Sequence, residues 1–368
     1  MESRKIIKTI WNILERGVYI VFIIGFIIFL LKTFFISAYK IPSHSMSPNL
    51  IVGDWICVDK IGFGSSKQMF GKIYSLPKFR DIKRGDVVVF HFPEGDTVFC
   101  NRPMQNYYEM LERKRKNKID NIGFVNYGEK CFLPIRNRPV YVKRCIGLPG
   151  EIIQIVHGIV KINGDSITEN YNFKRLWRVY YHDKWACEKD IGSSNYWRNR
   201  DERITDFSLT DKERKVFQAR GDIDSIKVRI RQRASIYYFP KELDEKMNWD
   251  AINYGPVKIP KKGSALILNG ANIAFYRRLI ETYEGNRIEM KEDGIYINEI
   301  HTDSYVPKQD YYFMMGDNRD LSIDSRIWGF VPEDHLIGKV FMIGWSSDVE
   351  EKTWSGIRWN RIGESINN

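Results

Sequence analysis

Two serines, Ser43 and Ser45, lie between Pro42 and Pro48 in the stretch 41–54, IPSHSMSPNLIVGD. A serine hydroxyl is a weak nucleophile at neutral pH and attacks a carbonyl only when a base takes its proton. Proline fixes φ and biases the residue before it towards extended geometry, so both serines sit in a constrained, largely non-helical segment. The same residues would serve equally well as a polar linker, and the choice between the two turns on a base elsewhere in the chain. Histidine is the usual partner, but no motif here supports a Ser-His-Asp triad. His44 adjoins Ser45 and, in an extended segment, would point to the opposite face. His91 falls on an expected strand, where it would be core or surface.

Lys143, in YVKRCI (141–146), is the stronger candidate base. On a strand it shares a face with Tyr141 and Cys145, while Arg144 points the other way. Apolar company suits a buried amine. A free lysine titrates near 10.4, and burial lowers that by as much as roughly 3–5 units, enough to leave a neutral amine able to accept the serine proton. The alternative is a lysine at a sheet edge. A third stretch, 316–329 (GDNRDLSIDSRIWG), packs Asp317, Asp320 and Asp324 among Arg319 and Arg326, with Ser322 and Ser325 between them. So many hydrogen-bonding groups between apolar runs imply an ordered network that could orient a lysine and carry an Arg-Asp pair. A calcium loop would not place two arginines there.

The elements that must position these groups read as mostly β. Strands are expected at 51–58, 87–92, 140–146, 311–315 and 338–344, with turns at Gly53-Asp54, at 82–86 and at 147–150. Residues 152–156 and 159–162 read as a hairpin turning at His157-Gly158 and ending in Asn163-Gly164. An internal echo follows: PKKGSALIL (260–268) resembles IKRGDVVVF (82–90), and GIYIN (294–298) resembles GIVKIN (158–163). Residues 104–119 read as a basic surface helix within an insertion at 100–138. Residues 165–255 lack clean periodicity and read as an inserted lobe, its aromatics serving as core, with Thr210 and Glu213 forming a capping box for a short helix ended by Gly221. Asn272 is expected to cap an amphipathic helix carrying Ile273, Tyr276, Ile280 and Tyr283, closed by Gly285.

The 368 residues carry a net charge of +11, with lysine and arginine spread along the chain, which suits anionic lipid headgroups better than a nucleic-acid groove. No nucleic-acid partner is expected. The negative mean hydropathy excludes a polytopic membrane protein. Residues 17–31 hold no charge, and with the apolar 34–36 they make about 20 residues, the length of a bilayer crossing. A cleavable leader would be shorter and would end in small residues, so this run reads as a retained anchor. Arg4, Lys5, Lys8 and Arg16 before it place the N-terminus in the cytoplasm and the rest of the chain outside. Six well-spaced histidines and five cysteines without a CxxC pair imply no metal site, and one disulfide at most.

Four motifs in order, SHSMSPNLIVGD, KRGDVVVF, YVKRCIGLPGE and GDNRDLSIDSRIWGFVP, are similar to those of bacterial type I signal peptidases, the membrane-anchored Ser-Lys proteases that remove signal peptides. The resemblance covers roughly 17–60, 82–96, 139–164 and 290–345. It implies an antiparallel, partly barrel-like β core with one N-terminal transmembrane helix and, in this long-insert form, an α+β insertion. It further implies Ser45 as nucleophile and Lys143 as general base. Ser43 and the Ser45 backbone N–H would form the oxyanion hole. Ser322 would position the lysine amine, Asp324 and Arg326 would form the supporting ion pair, and Met46 and Pro48 would contact substrate. Asn49 stands where threonine is common in that family, and Leu321 where asparagine is common.

The domain plan is then a cytoplasmic N-terminus (1–16), an anchor (17–37), a first catalytic part (38–164), the lobe (165–255), a second catalytic part (256–346) and a solvated C-terminal tail (347–368). The expected partners are preprotein signal peptides cut after Ala-x-Ala-like sites, the lipid bilayer and the secretion machinery, with no cofactor. The expected location is the bacterial cytoplasmic membrane, single-pass, with the catalytic part on its outer face. The rivals are a non-enzymatic anchored scaffold, which a preprotein-processing assay would separate, and a self-cleaving repressor of the Ser-Lys type. The anchor and the lack of a DNA-binding helical domain argue against the second.

Overall fold

The computed structural model describes residues 11, 14–26, 36–60, 62, 66–69, 72–75, 80–101, 106–111, 129–169, 171–183, 186, 196–198, 203–230, 237–351 and 353–366. Thirteen strands carry the site. They are β1 (Ile36–Lys40), β2 (Asp54–Asp59), β3 (Val87–His91), β4 (Val140–Gly147), β5 (Ile152–Val156), β6 (Ile159–Ile162), β7 (Lys174–Tyr181), β8 (Ile204–Thr210), β9 (Ile223–Val228), β10 (Tyr254–Lys258), β11 (Tyr311–Met315), β12 (Val331–Pro332) and β13 (Leu336–Ser346).

The central sheet has the order β1-β2-β13-β3-β4-β11-β12, antiparallel throughout. Its inner strands are apolar on both faces, as Val87-Val88-Val89-Phe90 and Tyr311-Tyr312-Phe313-Met314-Met315 show by their complete burial. Each such Val or Phe contributes about 1.5–3 kcal/mol on leaving water. Register shifts at Trp55/Ile56, Cys57/Val58, Phe313/Met314 and Leu336/Gly338 add local twist and curl the sheet, in keeping with the expected partly barrel-like β fold.

The hairpin β5–β6 forms as expected, and β10 extends its sheet. The internal echo has a physical basis. Asn163, at φ 53°, takes the Ile152 N–H on its side-chain oxygen and returns its own N–H to the Ile152 carbonyl. Asn298, at φ 51°, does the same to Arg287. Asparagine is used at both because it tolerates the left-handed region and bonds locally.

The lobe is built on β8-β7-β9, all antiparallel, packed around Val179, Tyr181, Phe207 and Leu209. The capping box is present: Thr210 Oγ1 accepts from Glu213 N, and Glu213 Oε2 accepts from Thr210 N. Its helix runs Asp211–Gln218 and stops short of Gly221.

Several expectations need correction. Asn272 sits at the helix start, but its side chain accepts from Asn269 N and caps nothing. That helix, Ile273–Arg278, widens into a π turn over Leu279–Tyr283 before Gly285 at φ 69°. The C-terminal segment is no solvated tail. Ser347 and Ser365 bridge to Ile357 and Met342, and Arg361 binds the carboxylate of the fully buried Asp54 at 2.7 and 3.1 Å. The one disulfide the cysteines allow does form, Cys100–Cys131, closing the first insertion. Of the basic stretch 104–119, residues 107–111 are helical, and most of the rest lies outside the described residues. Of the expected anchor, 14–26 is helical, 27–35 lies outside the described residues, and Ile36 and Ser37 already belong to β1. Among the described residues no helix is long and apolar enough to cross a membrane.

Candidate active site

The serine stretch links β1 to β2 through a short 3-10 turn, His44–Met46, preceded by Ser43 in extended conformation. Proline at 42 and 48 keeps the segment from propagating as helix, and the buried side chains of Ile41, Met46 and Leu50 fasten it to the core. Met46, an expected substrate contact, is therefore a core side chain at 1% exposure, while Pro48 remains partly exposed.

Lys143 comes from the middle of β4, opposite Val88 of β3. Its ammonium donates to Ser45 Oγ at 2.7 Å and to the Val142 carbonyl at 3.0 Å. The lysine is 3% exposed, so it is buried rather than at a sheet edge. Burial brings its pKa down from 10.5 to about 8, against the upward pull of Asp324 and Asp317. A lysine so placed exchanges its proton near physiological pH, and a serine touching it is where that proton would come from. Ser43 Oγ lies 3.3 Å from Ser45 Oγ. Neither histidine competes: His44 is exposed, and His91 faces the Arg138 carbonyl at 3.4 Å.

The polar stretch after β11 wraps beneath these groups. Arg326 grips Asp324 through two hydrogen bonds, at 2.9 and 2.8 Å, and both are buried. Burial pushes the Asp324 carboxyl up, but the Arg326 guanidinium outweighs it and holds the group below its ordinary value. Asp324 also accepts from Gly316 N at 3.1 Å, which fixes the start of the loop. At Gly316 a Cβ would lie 2.5 Å from the Ser45 carbonyl oxygen and 2.2 Å from Ser322 Oγ, so no larger residue fits. Ser322 does not bond Lys143 here; its hydroxyl reaches only the Ile323 carbonyl, at 3.5 Å.

Some groups around the site were given no role from the sequence. Arg144 forms a buried bidentate pair with Asp317, at 2.8 and 2.7 Å. Asn49 donates to Asp317 Oδ2 and to the Asn172 carbonyl, both at 2.7 Å, so it ties the serine turn to the entry of the lobe. Asn318 donates its backbone N–H to the Ser45 carbonyl (3.0 Å) and its side-chain amide to the His44 carbonyl (3.1 Å). Asp317 and Asn318 were legible only as members of a polar motif. Ser208, which donates to Asn318 Oδ1 at 2.8 Å, carried no signal, because its strand lies in the aperiodic lobe.

The chain is similar in sequence to known signal peptidases. The family model described as signal peptidase, peptidase S26, matches residues 13–218 and 255–345. Signal peptidase I of Buchnera aphidicola subsp. Acyrthosiphon pisum is 30% identical over 340 residues, 91% of this chain and 77% of that protein. The Schizaphis graminum subspecies has a signal peptidase I 29% identical over 348 residues, 92% of this chain and 77% of its own. Signal peptidase I of Haemophilus influenzae is 25% identical over 342 residues, 92% of this chain and 72% of its own.

Proposed function

This chain belongs to the peptidase S26 family of signal peptidases, and from that premise we propose that Ser45 is its nucleophile and Lys143 its general base. The chain is a serine endopeptidase that acts on the signal peptides of preproteins. The observation that carries the residue assignment is the 2.7 Å contact between a buried, pKa-depressed lysine amine and the hydroxyl of a serine held in a rigid turn.

In the reaction, neutral Lys143 takes the Ser45 proton as Oγ bonds to the scissile carbonyl carbon. The oxyanion that forms accepts from the Ser43 hydroxyl and the Ser45 backbone N–H, and each such donor is worth roughly 3–4 kcal/mol at most. Lys143, now an ammonium, returns the proton to the departing amine, leaving an acyl-serine. Water then attacks that ester, again losing its proton to Lys143, and the released Ser45 regains its own. The Asp324–Arg326 pair fixes the loop that walls the lysine, and the Ser322 hydroxyl serves the same wall. Substrate lies extended beside the nucleophile turn, near Pro48, with small side chains in shallow pockets.

A single-pass anchor ending before β1 would hold this site at the membrane surface. The helix at 14–26 supports that reading, since Val18, Val21 and Phe22 are each about 70% exposed and need an apolar cover. The Cys100–Cys131 bridge supports an oxidising compartment, hence the outer face of the cytoplasmic membrane, where the secretion machinery delivers preproteins.

A preprotein-processing assay on detergent-solubilised protein tests the assignment. Ser45→Ala and Lys143→Ala should each abolish cleavage while the circular dichroism spectrum stays native. Substantial activity in either variant would sink it, and His44→Ala and His91→Ala should do far less.

A further inference from the structure

The lobe docks directly on the loop that carries the polar network. The Lys174 N–H of β7 donates to the Asp317 carbonyl at 2.8 Å, and the Leu176 N–H donates to Asp320 Oδ2 at 2.7 Å. One contact goes deeper. Ser208 of β8, 2% exposed, donates its hydroxyl to Asn318 Oδ1, and Asn318, 3% exposed, donates its amide hydrogens to the His44 carbonyl. The His44 carbonyl and the Ser45 N–H belong to one peptide unit. Such a unit is planar and trans, so its C=O and N–H point in opposite directions. Drawing the His44 oxygen towards Asn318 therefore turns the Ser45 N–H away from Asn318. The second bond, from Asn318 N to the Ser45 carbonyl, holds the next peptide unit as well.

From this chain of contacts we propose that Ser208, supplied by the inserted lobe, is a positioning residue for the oxyanion hole. Its hydroxyl occupies the amide oxygen of Asn318, which leaves the amide hydrogens for His44 and so sets the direction of the Ser45 N–H. The lobe is thereby a working part of the catalytic site. The inference rests on the reading of Ser45 as nucleophile and oxyanion donor.

The test uses full-length, detergent-solubilised protein carrying Ser208→Ala. Loss of one buried hydrogen bond behind the donor should lower kcat about tenfold with KM within twofold. Affinity for a peptide boronate, which builds an oxyanion at the serine, should fall by the same factor, while binding of a non-cleavable peptide stays unchanged. Ser208→Thr, which keeps the hydroxyl, should restore most of the rate. If Ser208→Ala does not fold, Ser208→Cys, a weak donor of similar size, carries the same expectations. The proposal is overturned if kcat stays within twofold. It is equally overturned if the non-cleavable peptide loses affinity in parallel, which would mean general damage from undocking. Cleavage by Ser45→Ala would overturn the nucleophile reading itself, whereas an inactive Ser45→Ala beside a fully active Ser208→Ala would remove only the role given to the lobe.

Discussion

In the proposed mechanism, a single proton on Lys143 links stability to activity. Its folded pKa of about 8 lies below the unfolded value of 10.5, so between those values the unfolded chain holds a proton that the folded chain has shed. Stability therefore rises with pH across that window, and the cost of burying the amine is fully present below about pH 8. Replacing the lysine by an apolar side chain of similar length removes the cost. Lys143→Met should stabilise the protein by about 3 kcal/mol at pH 7, from the size of the shift, and the gain should vanish near pH 10.5. Urea unfolding at the two pH values measures this. In the intact protein, processing rate should climb with pH and level off above about 8, because only the neutral amine accepts the serine proton. A rate that is flat from pH 6 to 9 would contradict the role given to this lysine.

At the scale of elements, the site is a meeting of the β1–β2 connection, the middle of β4 and the loop after β11. Gly316 shows how close the approach is, since its missing side chain leaves room for the Ser45 carbonyl. Gly316→Ala should push the Ser45 turn out of place and cut kcat/KM by roughly a hundredfold, as misplacement by about 1 Å does. Processing kinetics alongside a native melting profile would check it, and a nearly wild-type rate would show that the loop gives way instead. Here the sequence was informative but incomplete. The Asp324–Arg326 pairing follows from neighbours two residues apart on one short turn. The expected bond from Ser322 to Lys143 does not form, because the 319–321 turn directs that hydroxyl to the Ile323 carbonyl.

Across the whole molecule, segments far apart in the chain brace the Ser43–Ser45 turn. Arg361, near the C-terminus, binds both oxygens of the buried Asp54 and the Asn49 carbonyl. Arg361→Ala would leave the Asp54 charge buried without its partner, and it should cost about 3–5 kcal/mol in chemical unfolding. A loss below about 1 kcal/mol would mean that water replaces the arginine. The segment read from sequence as a solvated tail, whereas pairing with residues some 300 positions earlier orders it.

What the sequence determined by itself was set by short-range physics. Alternation marked the strands, Asn163 and Asn298 marked their turns, Thr210 and Glu213 marked a helix start, and serine, lysine and the Asp-Arg loop named the chemistry. The tertiary structure decided which of these groups meet and in what state. Ser45 and Lys143, 98 residues apart, touch only because β3 brings β4 into the central sheet. The lysine's pKa falls only because folding removes water from it. Ser208 reaches Asn318 because one lobe packs on another part of the chain, a contact with no local signature, since packing between distant segments depends on the shape each takes after folding.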